Sequence, residues 1–216
     1  MGKLLIKELR LAMHPTVPMM LLLSAMVFIP NYPFVVIFFY VAMSIFFTCL
    51  GGRENRDIAY SLSLPVAKRD TVRARILFSA LVELLQLLIM LPLIFLVQRI
   101  NTAGNQAGLD ANVALIGLGG ICYGIFNLVF FTSYYKNVNK VGISFIKASI
   151  ALTLCMMVDI ISTYAVPFVR DILDTPDTMY LSAKLIYMTM GIIIFVVLTV
   201  LSCRISEKRF CALDLN

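Results

Sequence analysis

Histidine occurs once in the 216 residues, as His14, and that scarcity closes several chemistries at the outset. An H-E-x-x-H metalloprotease needs two histidines on one helix face, and a histidine-based zinc site needs more than the chain has. A Ser-His dyad would have to recruit the same His14, which stands next to Pro15 in a stretch read below as interfacial. No G-x-x-x-x-G-K-[ST] run is present, so any ATP-driven work through a phosphate loop requires a second polypeptide. The five cysteines, Cys49, Cys122, Cys155, Cys203 and Cys211, are odd in number and form no C-x-x-C pair, and they read as free thiols rather than a disulfide framework or a metal site. Charge is also scarce. Asp, Glu, Lys and Arg make up 14% of the chain, against about 25% in soluble domains. With 61% hydrophobic residues and a mean hydropathy of +0.93, a soluble globular domain is excluded. The net charge of +6 does not indicate nucleic acid, because phosphate binding needs a solvated basic face beside a soluble core, and no such core is encoded.

What the chain does contain is apolar sequence long enough to cross about 30 Å of hydrocarbon. Six spans are expected at Thr16–Ile29, Phe34–Gly51, Ile76–Val97, Asn112–Thr132, Ala148–Val166 and Leu181–Cys203. The first is short and meets the second through Pro30-Asn31-Tyr32-Pro33, so the pair reads either as two thin spans or as a hairpin that dips in and returns. Ile76–Val97 carries Glu83 and Gln86, yet its 16 Leu, Ile, Phe and Val residues outweigh one central charge costing about 2.5–3.5 kcal/mol. Of the 18 Lys and Arg, 15 fall at the two ends of the chain and in the second and fourth loops. By the positive-inside rule both termini and both basic loops are then cytoplasmic. No cleavable signal peptide is expected, because the apolar stretch after the first basic residues is interrupted by proline and has no small-residue cleavage site. Lys3, Lys7, Arg10 and His14 share one helical stripe and Leu5, Leu9 and Ala12 another, which predicts a short helix on the inner membrane surface. The fold class is all-α: a polytopic membrane protein of six transmembrane helices with an N-terminal interfacial helix, forming a single domain over 1–216.

The segment Gly51–Arg75 is far longer than a connector needs and mixes Ile58, Tyr60, Leu62, Leu64 and Val66 with dense charge. A short helix is expected over Glu54–Ser63, ended at Leu64 because the residue before a proline avoids the α region. A second helix then starts after Pro65 and continues into the third span. This helix-turn-helix reads as a docking surface, or alternatively as a solvated basic loop on anionic lipid. On Glu54, Asn55, Asp57, Ser63, Leu64, Pro65, Val66, Lys68, Arg69, Val72 and Arg75, the chain resembles the small six-span permeases of the ABC-2 type, in particular membrane subunits related to the phenol-soluble-modulin exporter. Specific residues match in this loop; elsewhere the likeness lies in span order and loop length. The resemblance implies a coupling helix seated on a separate ATP-binding subunit, with Glu54, Asn55, Arg56, Asp57, Tyr60, Ser61, Leu64 and Pro65 as contact residues. It further implies a second permease subunit, ATP and Mg2+ held by the partner rather than by this chain, and residence in a bacterial plasma membrane. In larger members of the class the connection between the last two spans is long, whereas Pro167–Tyr180 is short.

Within the spans, Glu83 and Asp159 are the two acidic residues. Counted from Arg75 and Lys147, they sit roughly 12 and 18 Å deep at 1.5 Å per residue. They and Gln86 read as lining a polar transport path, with Ser162 and Thr163 nearby, or as protonated or hydrogen-bonded links between helices. Gly117, Gly120 and Gly124 form a small-residue stripe for helix packing, within the chain or between subunits. Three functions compete: an ATP-driven exporter permease for a peptide, toxin or drug-like amphipathic cargo, a non-transporting immunity or sensor-type membrane protein, and a secondary transporter. The last is disfavoured because no internal repeat or matched pair of broken helices is visible.

Overall fold

The computed structural model describes residues 2–63, 65–100 and 104–213, and helices are the only regular elements among them. Eight α-helices follow in order: α1 (Gly2–Lys7), α2 (Thr16–Leu22), α3 (Val35–Glu54), α4 (Asp57–Ser63), α5 (Lys68–Ile100), α6 (Val113–Tyr134), α7 (Val141–Ala165) and α8 (Leu181–Cys211). Wider π-type turns continue α1 over Glu8–Ala12 and form Val169–Leu173, while a tighter 3-10 turn extends α2 over Leu23–Phe28. Five helices, α3 and α5 to α8, are long and apolar enough to cross a membrane, and the number is six if the bent pair Gly2–Ala12 and Thr16–Phe28 counts as one span. The protein is an all-α, multi-pass membrane protein.

The first span is the thin one. Gly2–Ala12 and Thr16–Phe28 meet at 84°, and Thr16–Phe28 rises only about 22 Å by helical geometry. Its ends nevertheless reach opposite ends of the bundle. At one end the His14 amide donates to Thr48 Oγ1 at 3.3 Å near the C-terminus of α3. At the other, Asn31 Oδ1 accepts from the Gln106 amide at 3.1 Å and the Tyr32 carbonyl accepts from Asn105 Nδ2 at 3.1 Å. Of the two readings open in the sequence, this is the traverse rather than the returning hairpin, lengthened by the extended chain around Pro30–Pro33.

Several boundaries move relative to expectation. The helix expected over Glu54–Ser63 divides: Glu54 closes α3, Asn55 and Arg56 form the turn, and α4 begins at Asp57. Arg56 adopts a left-handed φ of 51°, the sharp reversal that folds α4 back against the bundle. α5 runs 33 residues, about 49 Å, so its first two turns project beyond the apolar layer. α6 starts cleanly because Asn112 Oδ1 accepts from the amides of Ala114 (2.9 Å) and Leu115 (3.3 Å).

α6 is the axis of the bundle. Its apolar window is 72% buried, against 22% for α7 and for α8, so those two helices present Ile150, Leu154, Ile161, Ile186, Ile193 and Val197 outward as a hydrocarbon-facing surface. The first and last described segments lie at the basic end of the bundle: Lys68 donates to the Leu213 carbonyl at 3.1 Å, and the N-terminal helix packs beside α5.

Candidate functional site

At the basic end, α4 is held from behind by buried charge. Lys7 Nζ lies 3.1 Å from Glu8 Oε1 and 2.5 Å from Asp57 Oδ1; Arg75 Nε lies 2.5 Å from Glu8 Oε2, and its Nη2 bonds Asp57 Oδ2. These contacts close a ring of alternating sign, Lys7, Glu8, Arg75, Asp57. Ser61 Oγ accepts from Lys7 at 2.9 Å and the Thr48 carbonyl from Arg75 at 3.5 Å, so α4 and α3 complete the donors' valence. The guanidinium fits because Gly52 has no side chain; a Cβ there would stand 3.3 Å from Arg75 Nη1.

The predicted docking residues therefore divide. Asp57 and Ser61 point inward, their polar atoms committed to Lys7 and Arg75. Glu54, Asn55, Arg56, Tyr60 and Pro65 remain exposed, while Leu64 lies outside the described residues. On the outward side a groove of 440 Å³ runs between α4 and the α6–α7 turn, floored by Ile58, Ala59, Leu62 and Val138 and edged by Arg53 and Arg56. Arg53 Nη1 bridges the groove to the Asn139 carbonyl at 3.3 Å.

In the membrane interior Glu83 and Gln86 are fully buried. Asn127 Nδ2 of α6 donates to Glu83 Oε2 at 2.7 Å and to Thr199 Oγ1 of α8 at 3.2 Å, and Ser202 Oγ donates to the Asn127 carbonyl at 2.6 Å. Gln86 Nε2 donates to Ser24 Oγ and to the Ile37 carbonyl, both at 3.2 Å. Glu83 thus joins α5 to α6, and Gln86 joins α5 to the first span and α3. Asp159 is elsewhere. Glu83 meets Asn127 toward the basic end of α6, whereas Asp159, about 27 Å along α7 from Val141, lies beside the loop that precedes α6 at the far end. Its carboxylate faces Gly108, whose φ of +137° and lack of Cβ allow the approach: a Cβ would come within 2.8 Å of Oδ2.

The glycine stripe packs inside the chain. A Cβ on Gly117 would lie 2.7 Å from the Tyr187 carbonyl oxygen, one on Gly120 2.9 Å from the Gly191 oxygen, and one on Gly124 3.1 Å from Phe195 Cα. Each position thus admits the α8 backbone against α6. At the far end the short loops interlock. The Asp110 amide donates to Asp174 Oδ1 at 2.7 Å, Asn112 Nδ2 to the Leu173 carbonyl at 2.6 Å, and Gln98 Nε2 to Asp177 Oδ2 at 2.8 Å. Lys184, wholly buried, donates to the carbonyls of Thr175 and Pro176. Burial, with Asp110 nearby, pushes the Asp174 carboxyl up to about 6. Among the described residues no cluster of three or more His, Cys, Asp or Glu is disposed to hold a metal ion.

The profile of the family described as ABC-2 family transporter protein matches residues 3–210. The chain belongs to the ABC-2 transporter family. No curated protein and no solved structure gives a significant match. Membership makes the chain a membrane permease component of an ABC transporter, a class that is not itself a catalytic enzyme and typically works with an ATP-binding subunit. For an ABC-2 permease, the residues that sequence reasoning passed over are Glu8, Asn127 and Gly191. Glu8 is disguised because it follows Lys7 in a basic segment that suits a membrane surface. Asn127 and Gly191 carried a readable signal, one amide and one bare position inside otherwise apolar spans.

Proposed function

We propose that the chain is the permease subunit of an ABC exporter, energised by a separate ATP-binding subunit that seats on the outward face of α4 and the α6–α7 turn. The observation that carries this reading is the groove itself. It joins an apolar floor to two guanidinium groups on an exposed face, and the helix that forms it is fixed from behind by buried ion pairs. Its complement is an apolar ridge flanked by carboxylates. Exposed Glu54, Asn55, Tyr60 and Pro65 extend the contact, while Asp57 and Ser61 set its position. The apolar outward faces of α7 and α8 suit a second permease subunit as well as lipid. The basic end faces the cytoplasm of a bacterial cell, a reading supported by the distribution of Lys and Arg. An amphipathic peptide, toxin or drug-like cargo rests on the resemblance of Gly51–Arg75 to peptide-exporter permeases. Glu83 and Gln86, closed between helices here, would line a path only after α5 parts from α6; Asp159 would meet cargo at the far end.

The test is co-purification from the native host. Arg53→Glu with Arg56→Glu and Tyr60→Ala should abolish recovery of a nucleotide-hydrolysing partner while leaving membrane insertion intact. Stoichiometric recovery with the triple variant would overturn the docking assignment.

A further inference from the structure

The ring of Lys7, Glu8, Arg75 and Asp57 does more than neutralise buried charge. Its members come from three chain segments: Lys7 and Glu8 from the N-terminal helix, Asp57 from α4, and Arg75 from the base of α5. Side-chain exposures are 12% for Lys7, 2% for Glu8, 6% for Arg75 and 13% for Asp57, so bulk water does not compete for these contacts. Each residue touches two partners of opposite sign, and the ring as a whole is neutral. Removing any one member leaves an unpaired charge in a dry site next to two others. The N-terminal helix also exposes Lys3 and Arg10 beside Ile6, Leu9 and Leu11, a composition suited to a membrane surface. α4 makes few other contacts with the bundle.

We propose that Lys7, Glu8 and Arg75 are positioning residues of energy coupling. The ring locks the N-terminal interfacial helix, α4 and the base of α5 into one unit, so that displacement of α4 by a docked ATP-binding subunit is delivered both to α5 and to the surface helix. This rests on the docking reading above. α5 is the helix that carries Glu83 and Gln86, so a pull on Arg75 acts directly on the helix whose interior bonds close the bundle. The surface helix supplies the opposing anchor: without Glu8, Arg75 loses its direct tie to that helix, which then reaches α4 through Lys7 alone. The groove decides what binds, and the ring decides whether binding moves anything.

Amide hydrogen exchange on the full permease in lipid nanodiscs separates the ring from the docking reading. Glu8→Gln should raise exchange of the α4 amides by about tenfold or more, although Glu8 has no contact with α4 except through Lys7 and Arg75. Arg75→Gln should do the same and also release the Glu8–Ala12 turn. Lys7→Met combined with Asp57→Asn restores neutrality and should give back part of the protection lost in Asp57→Asn alone. Wild-type exchange of α4 in Glu8→Gln would overturn the ring as a connector. A second arm uses the purified complex with its ATP-binding subunit and ATP with Mg2+ as the probe. In the wild type, nucleotide should change exchange in the surface helix. In Glu8→Gln the subunit should still bind while that distant response falls by about tenfold, the range of ordinary coupling free energies. An undiminished response would overturn the coupling role. Failure of the wild-type chain to bind any such subunit removes the docking reading and with it the coupling role, and leaves the exchange arm to judge the ring alone.

Discussion

Gly191→Ala is the sharpest perturbation of the bundle that the structure defines. A Cβ at 191 would lie 2.1 Å from the Gly117 carbonyl oxygen and 2.6 Å from both Gly117 C and Cα. All three are backbone atoms in the second turn of α6, so no side chain can turn aside. Ordinary contact begins at 3.4 Å, and α6 and α8 must part locally by roughly 1.3 Å, the difference of those two distances. The same separation stretches Asn127 to Thr199 at 3.2 Å and Ser202 to the Asn127 carbonyl at 2.6 Å, which bridge the same two helices. Overpacking costs about 1–3 kcal/mol where side chains can adjust, and a backbone clash belongs at the top of that range. For a chain of this length about 3 kcal/mol corresponds to a fall in Tm of roughly 6–12 °C. The assay is thermal unfolding in detergent, with Gly142→Ala as control because a Cβ at 142 meets nothing within 4 Å. Gly142→Ala should be neutral or slightly stabilising, since alanine favours a helix interior by about 0.5–1 kcal/mol. An unchanged Tm in Gly191→Ala would show that the α6–α8 seam is looser than described.

Other predictions follow from the buried polar groups. Glu83 Oε1 and Asn127 Oδ1 both lack partners, and Glu83→Gln offers an N–H to the amide oxygen, so its unfolding midpoint should equal or exceed that of the wild type. Asn127→Leu strands the Glu83 carboxyl and should lower stability by about 1–3 kcal/mol. Glu83→Gln with normal stability and normal ATP hydrolysis but lost cargo transport would assign Glu83 to the path instead of the scaffold. At the far end, burial raises the carboxyls of Asp110 and Asp174, the latter to about 6. The native state therefore holds a proton where an unfolded carboxyl, with a pKa of about 3.9, has lost it. Stability from Asp174 is full below about 3.9 and is lost as pH rises through about 6. Unfolding midpoints of the detergent-solubilised protein should fall over that interval, and Asp174→Asn should flatten the slope.

Hydrophobic run length located the spans because α3 and α5 to α8 each contain an apolar window long enough to cross the hydrocarbon layer. The limits were less legible. Lys147 looked like a membrane boundary, but α7 continues back to Val141 because a helix does not stop where the bilayer does. α5 likewise begins at Lys68, ahead of Arg75, so helix starts alone leave the two carboxyls at similar depth, and the approach of the Gly108 loop is what sets Asp159 at the far end. The Gly51–Arg75 segment was recognisable as a special surface from its mixture of apolar and charged residues, but which side of α4 faces inward was not. Glu54 and Asp57 look equally solvent-seeking in sequence, and only the long-range partners Lys7 and Arg75 distinguish them. Glu8 was hidden for the same reason: a carboxylate in a basic segment reads as surface until the segment is folded against Arg75.

Site-directed photo-crosslinking in the native membrane tests the docking account most directly. A benzophenone side chain at Tyr60, exposed on α4, is compared with one at Phe95, exposed near the far end of α5. The account predicts that Tyr60 captures one polypeptide, that this polypeptide contains a phosphate-binding loop and hydrolyses ATP, and that Phe95 does not capture it. Capture of the ATP-hydrolysing subunit from Phe95, or its absence at Tyr60 while it co-purifies with the chain, would place the partner elsewhere and contradict the assignment.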